Sequence, residues 1–348
     1  MKKIRIDYSK PSADITKEET YRVNNDAELA QAQKKAMRIL LKSPARKLCL
    51  LCGQPLGGEE FNHRGLLFTR CHTCGHIQTK NKPPTNYPFL PSTGYEYKKI
   101  YPPLTETEFN DRKNRIYKPK LDWALSCLAE IGYSPTKLKE LKWVEIGCGA
   151  GYFLSALDDF GVKNLLGLDA DKKLVAYAKK RLGKDKIIYS QISADQITKQ
   201  CPADIYVAFF VYEHFDNPRA FFSSLQTMKP GTIFIFSVPV YGFSCLLENV
   251  FTNNYARNLD GAVHTQLYSD DSINYALNTA GLKMQAQWIF GQDASDLMRF
   301  LLQNLQRRLS PRMLSELREK MLLLDDKLQN ILDKNLLSDQ RHIVAVKK

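Results

Sequence analysis

The sequence predicts an α/β protein built on a doubly wound, mostly parallel sheet, with a small metal-binding unit ahead of it. Three observations carry this expectation. From Lys142 onward, short apolar runs alternate with helical patterns. Between the first such run and the first helix stands a glycine turn, Gly147-Cys148-Gly149-Ala150-Gly151. Ahead of the alternation stand two C-x-x-C-G knuckles, Cys49-Leu-Leu-Cys52-Gly53 and Cys71-His-Thr-Cys74-Gly75.

Composition sets the outer bounds. The chain has 348 residues, 44% hydrophobic and 25% charged, which excludes wholesale disorder. Its length fits two domains, or one large domain with additions. The start, MKKIRIDYSK, has no apolar core of a signal peptide. No apolar run is long enough to span a bilayer. A cytoplasmic location without a membrane span is expected. The net charge is +13, and residues 1–120 hold 23 Lys+Arg against 12 Asp+Glu. A basic segment of this kind attracts polyanions or forms a solvated basic face.

Taken in order, residues 1–47 read as a basic extension. Residues 1–25 look irregular, and Asp26–Leu41 looks helical, with Asp26 as N-cap and Leu29, Ala32, Ala36, Ile39 and Leu40 as its apolar stripe. Residues 48–80 read as a zinc ribbon. Each knuckle lets two thiolates converge on one ion, and the following glycine permits the positive φ that the turn needs. Cys49, Cys52, Cys71 and Cys74 would close a tetrahedral shell with no position for water, so the zinc would be structural. Redox pairs are the competing reading, but a redox C-x-x-C sits beside a βαβ unit. The other four cysteines, Cys127, Cys148, Cys201 and Cys245, read as core residues.

Residues 81–135 read as a Pro/Tyr-rich strap followed by a helix over Phe109–Ile131. Residues 136–348 form the α/β domain. Its strands are expected at Trp143–Gly147, Asn164–Leu168, Lys186–Ser190, Asp204–Val211, Gly231–Val238 and Lys283–Phe290, and a last one at Arg341–Lys347. Helices are expected at Tyr152–Phe160, Lys172–Leu182, Phe221–Met228, Ser269–Ala280, Ala294–Asn304 and Pro311–Leu332. In the last of these, Leu314, Leu317, Met321, Leu324, Leu328 and Leu332 make a stripe that packs on the parent domain or on a second copy, so a homo-oligomer through the C-terminal helices is one expectation.

The glycine turn decides the ligand class. A dinucleotide fingerprint needs G-x-G-x-x-G, but position 152 is Tyr and 154 is Leu. What stands here is G-x-G-x-G, preceded by Glu145 and followed about 20 residues later by Asp169, the spacing of a ribose contact. This disfavours a dehydrogenase.

On Val144–Tyr152, Gly167–Asp171, Ser193-Ala194-Asp195 and Val211–Phe215, the chain resembles class I S-adenosylmethionine-dependent methyltransferases. The resemblance covers roughly residues 140–290. It implies a seven-stranded Rossmann-like methyltransferase sheet closed by an antiparallel seventh strand, which makes residues 292–340 a helical insertion. It implies S-adenosylmethionine as cofactor, with Glu145, Gly147, Gly149, Gly151, Asp169, Ala170, Ala194, Asp195 and Phe210 around it. Asp169 would take both ribose hydroxyls. Ser193 stands where an Asp is usual, so the adenine contact falls on Asp195 or on backbone. Phe209 and Phe210 either wall the cofactor or are strand core.

His214, just past the fourth strand, is the candidate base, with Tyr212 and Glu213 beside it. The other reading is that Glu213-His214 caps the loop. His264, in the long loop after the fifth strand, is the second candidate, alongside Tyr241 and Tyr255.

The knuckle segment Thr69–Thr79 is similar to sugar C-methyltransferases of deoxysugar and surface-polysaccharide pathways. That similarity implies a nucleotide-linked sugar as small-molecule substrate, its diphosphate held by the basic third. Those enzymes have a further C-terminal domain, so C-, O- and N-methylation stay open. The alternative is an RNA methyltransferase gripping phosphate backbone through the ribbon and basic patch. No N-P-P-Y-type signature stands at the fourth strand. A non-enzymatic ribbon protein with a decayed methyltransferase fold is the third reading.

Overall fold

The structure is a computed structural model that describes residues 3–84, 105–190, 196–261, 264–306 and 308–348. The strap read at 81–103 falls mostly outside these residues, as do Ser193, Ala194 and Asp195.

The main sheet is built from β1 (Arg5–Tyr8), β5 (Lys142–Ile146), β6 (Asn164–Asp169), β7 (Ile187–Tyr189), β8 (Ile205–Phe209), β9 (Ile233–Pro239), β11 (Leu282–Ile289) and β12 (Gln340–Lys347). Its order is β7-β6-β5-β8-β9-β12-β11-β1. The pairs from β7 to β9 are parallel. β12 runs antiparallel to both neighbours. Strand order reverses between β5 and β8, and such a switch point opens a crevice beyond the strands' C-terminal ends.

Period-two burial explains the layers. Trp143, Val207 and Ile235 face one core with Phe109, Leu121 and Phe153. Val144, Ile146, Tyr206, Phe234 and Phe236 face the other with Phe221, Ile273 and Leu277.

The expected seven strands are eight. The extra strand, β1, pairs in parallel with β11 at the sheet's edge. The span 1–25, read as irregular, thus holds a strand at Arg5–Tyr8 and the start of a helix at Thr16. The alternation of β1 is inverted, which hid it: Ile4 and Ile6 are exposed, while Arg5 and Asp7 turn inward. There Asp7 accepts from Trp123 Nε1 at 2.9 Å, and Arg5 reaches Glu130 at 2.6 Å.

Helix α1 spans Thr16–Leu40, with a break at Asn25. Asp26 is not an N-cap. Its carboxylate takes Asn254 Nδ2, the Tyr255 amide and Arg299, so tertiary partners replace the local one. Ahead of β5, the single helix expected at Phe109–Ile131 is α2 (Glu106–Arg112), a π-turn over Lys113–Tyr117, and α3 (Lys118–Glu130). Pro119 sits in the first turn of α3, where its missing amide costs nothing.

α4 (Pro135–Glu140), α5 (Tyr152–Phe160), α6 (Lys172–Leu182), α7 (Ile197–Gln200), α8 (Pro218–Ser224), α9 (Phe243–Val250) and α10 (Asp270–Ala280) follow. Between β11 and β12 lie α11 (Asp293–Leu305), α12 (Pro311–Leu322) and α13 (Asp325–Lys334). The helix expected over Pro311–Leu332 is broken at Leu323 and Leu324, which are exposed. No residue of α12 is buried. Leu314, Leu317 and Met321 of the stripe are half-covered, and Leu332 is buried.

A second sheet contains β2 (Gly58–His63), β3 (Leu66–Cys71), β4 (Ile77–Thr79) and β10 (Gln266–Leu267), ordered β10-β4-β3-β2. β10 comes from the long loop after β9. The cysteine-bearing hairpins and the α/β domain therefore share a sheet. No helix among the described residues is long and apolar enough to cross a membrane.

Candidate active site and metal centre

β5 ends into the glycine turn. The amides of Gly147 and Cys148 donate to the Leu168 carbonyl on β6 at 2.8 and 3.0 Å. Gly147, Gly149 and Gly151 have φ of 71°, 54° and 83°, a region that side chains rarely adopt. A Cβ on Gly147 would meet Val211 at 2.5 Å, so the turn lies directly against the segment after β8.

Asp169 closes β6. Its carboxylate accepts from the Gly149 amide and the Asp171 amide, each at 2.7 Å. One lone pair remains on each oxygen, enough for a vicinal diol. Burial pushes this carboxyl up, opposed by those amides. Ala170, next in line, is exposed. Glu145 is buried and its Oε2 has no hydrogen-bond partner. Burial, with Asp169 nearby, drives its carboxyl well above the usual range. Residues with these conformations and donor sets fit a nucleoside ligand with a vicinal diol.

Phe210 holds a φ of 57° at the end of β8. The Lys120 ammonium lies 4.8 and 4.9 Å from the ring centres of Phe209 and Phe210. Lys120 belongs to the basic third that reads either as polyanion-binding or as a solvated face; it is 5% exposed, and burial lowers its pKa well below normal. Sequence pattern offers no signal for this, because nothing in the spacing of the cations at 112–120 separates a buried one from an exposed one.

The turn over Tyr212–His214 separates its three side chains. Tyr212 packs against Phe221, Phe222, Phe234 and Phe236 and is fully buried. That places it away from the exposed His214. Glu213 is also fully buried, and burial pushes its carboxyl up to about 8. His214 Nε2 lies 3.9 Å from Glu213 Oε1. Across from it, the His264 ring stacks on the His214 ring, with centres 5.4 Å apart. The two histidines singled out in sequence are thus brought together from segments fifty residues apart. Tyr241 and Tyr255 are not part of this pair: Tyr241 packs on Phe61, and Tyr255 is buried beside Leu29 and Ala30. His342 is buried in β12, with its ring stacked on Phe290 at 4.2 Å.

The four knuckle cysteines converge. All four are buried, and their sulfurs lie within 4.8 Å of one another. Cys49 to Cys74 is 3.6 Å and Cys52 to Cys71 is 3.7 Å. These are not disulfide distances. Four thiolates on a tetrahedral ion with bonds of about 2.3 Å stand roughly 3.8 Å apart. Gly53 and Gly75 take φ of 74° and 71°. The same unit reaches the histidine pair through backbone. Gln78 and Ile77 of β4 pair with Gln266 and Leu267 of β10, and the Thr79 amide donates to the Thr265 carbonyl at 2.9 Å. Gln266 then donates to the Phe215 carbonyl at 2.8 Å, joining the two histidine-bearing segments.

Much of the basic N-terminal third is neutralised internally. Arg112 and Arg115 pair with Glu18, Arg115 also with Asp111, and Lys113 with Asp159. Lys34, Lys35, Arg38, Lys42 and Lys47 are exposed. A cavity of about 600 Å³ lies at the opposite end of the strands, bordered by Lys142, Asp204 and Thr232, and contains none of the groups above.

Residues 118–287 match the family model of a methyltransferase domain. No curated protein matches the chain. Among solved structures, magnesium protoporphyrin IX methyltransferase from Synechocystis PCC 6803, with bound SAH, is similar at 15% identity. That likeness covers 73% of this chain and 94% of that one, with a TM-score of 0.43. A SAM-dependent methyltransferase from Archaeoglobus fulgidus matches at 18% identity, 70% and 100% coverage and a TM-score of 0.40. One from Mesorhizobium loti matches at 18%, 60% and 92%, with a TM-score of 0.40.

Proposed function

We propose that this chain, an S-adenosylmethionine-dependent methyltransferase whose methyltransferase domain covers residues 118–287, acts on a small anionic acceptor, a nucleotide-linked or polysaccharide sugar. The cofactor supplies an electrophilic methyl group for in-line displacement. Gly147, Gly149 and Gly151 let the backbone approach it, and Asp169 accepts its ribose hydroxyls. Glu145, Ala170 and Phe210 border the same crevice; Ala194 and Asp195, outside the described residues, keep the adenine role that the resemblance implies. His214 and His264 border the acceptor and align it or take its proton.

Cys49, Cys52, Cys71 and Cys74 hold a structural zinc. The thiol spacing supports this, since it matches a tetrahedral shell with no opening for water. The zinc unit is proposed as a wall of the acceptor site. The observation that carries this reading is the β4–β10 pairing, which joins the ribbon to the loop bearing His264. A ribbon built into the acceptor side suits a small molecule enclosed between two units.

A second reading is RNA as acceptor. The exposed strip Lys34, Lys35, Arg38, Lys42 and Lys47, with no ion pair among the described residues, favours it. Mass spectrometry after incubation with labelled cofactor separates the two. Label in nucleotide-sugar pools supports the first reading; label in RNA alone overturns it.

A further inference from the structure

Glu213, His214 and His264 form a second cluster of metal-ligating groups. One carboxylate oxygen and one nitrogen from each ring all lie within 4.8 Å of one another. Glu213 is 0% exposed, and neither carboxylate oxygen has a hydrogen-bond partner. Its surroundings offer little help: the buried hydroxyls of Tyr212 and Tyr268 have no partner either. An ionised carboxylate in such a place needs a proton or a cation. The His264 imidazole is held in place. His264 Nδ1 lies 3.0 Å from the Arg257 carbonyl. A carbonyl only accepts, so Nδ1 carries the proton and the lone pair sits on Nε2, the usual outer-shell arrangement of a ligating histidine. The His264 amide is fixed on Asp260 at 2.9 Å.

We propose that Glu213, His214 and His264 bind one divalent transition-metal cation, a centre distinct from the four cysteines. Two imidazoles and a carboxylate suit Mn²⁺, Fe²⁺, Co²⁺ or Zn²⁺ and leave coordination positions open. Ligand bonds of about 2.1 Å put donor atoms roughly 3 to 4 Å apart, so a small rotation of the exposed His214 closes the set. The open positions face the acceptor side and take an acceptor oxygen; this last part rests on the methyltransferase reading. In this arrangement the two histidines serve the first of the two roles proposed above, aligning the acceptor through the cation they hold.

The test uses the whole chain loaded with one equivalent of zinc, which the four thiolates retain, and titrated with Co²⁺, with optical spectra recorded. Cobalt on cysteine thiolates gives intense near-ultraviolet charge-transfer bands, whereas nitrogen and oxygen ligands give weak visible bands only. The expected result is one Co²⁺ per chain with the weak bands alone. Its dissociation constant should rise at least tenfold in Glu213→Gln and in His264→Ala, with the zinc content of the cysteine site unchanged. Absence of the weak bands at millimolar Co²⁺ overturns the proposal, as does equal affinity in both variants. Should Glu213→Gln fail to fold, His264→Ala decides. Calorimetry with S-adenosylmethionine on the same samples separates the two readings. Cofactor binding without Co²⁺ binding overturns the metal centre alone. Co²⁺ binding without cofactor binding keeps the centre and overturns its role toward an acceptor.

Discussion

At the residue scale, Asp169 does two jobs with one carboxylate. It ties β6 to the glycine turn through the Gly149 amide, and under the proposed function its remaining lone pairs take the cofactor's ribose diol. Hydrogen bonds to a charged group are worth about 1.5–3 kcal/mol each. Asp169→Ala should therefore weaken S-adenosylmethionine binding on the order of 100-fold in calorimetry; an unchanged affinity would refute the assignment. Asp333 makes a prediction about pH. It is buried, and burial raises its carboxyl to about 6 in the folded chain. The unfolded group sits near 3.8, so between about pH 4 and 6 the native state holds a proton that the unfolded state lacks. Stability from this group is present at low pH and falls as pH rises through 6. Asp333→Asn removes that titration, so its melting temperature should fall less between pH 4.5 and pH 7 than the parent's. Parallel melting curves would contradict this. Only the first of these two residues was legible in the sequence. Asp169 stood out because it ends an apolar run about 20 residues after the glycine turn, whereas Asp333 lies in an ordinary polar helix whose burial only the fold decides.

At the element scale, the short β4–β10 pairing joins two units that sequence reading kept apart. Two residues of ladder are weak by themselves. They persist because β4 is already braced by β3 and because the knuckles hold the hairpin ends. A unit of this size has little core, so a bound metal would supply much of its folding free energy. Stripping it with a strong chelator should lower the melting temperature and speed amide exchange in residues 264–268 together. Cofactor affinity should change less than threefold, because the glycine turn is held by β6 and packs on Val211, not on the ribbon. Loss of exchange protection at the cysteines alone, with residues 264–268 unaffected, would show that the ribbon does not position His264.

At the scale of the whole molecule, buried charge fastens the N-terminal third to the C-terminal helices. Arg299 is 0% exposed and pairs with Asp296 at 2.8 Å, Asp26 at 3.0 Å and Glu19 at 3.4 Å. Arg257 joins Asp296 to Asp339. Such networks add little over an apolar substitute, but removing one partner strands buried charge and costs about 3–5 kcal/mol. Arg299→Ala should show a loss of that size in urea unfolding, with α1 the first element to lose exchange protection. A loss under 1 kcal/mol would mean that α1 is held by its apolar face alone. The same scale revises the meaning of the +13 charge. Carboxylates from α1, α2 and α5 cancel much of the basic run at 112–118. Among the described residues, exposed cations without an ion pair cluster on the C-terminal half of α1 and the start of the ribbon.

What the sequence determined by itself was periodic or tightly spaced. The parallel strands, the glycine turn and the cysteine knuckles were legible because each is set by residues within about twenty positions, where hydrophobic period, φ requirement and ligand spacing act locally. Tertiary structure alone decided the rest. β1 is a four-residue edge strand of inverted pattern, and only its pairing with β11 makes it a strand. Asp26 looked like a cap until Arg299 claimed its carboxylate. His214 and His264 could each be named from sequence, but what brings them together is tertiary: a ribbon strand pairs with the segment just after His264. Contacts across fifty or two hundred residues leave no local period, because their free energy is gained only once both segments are already folded.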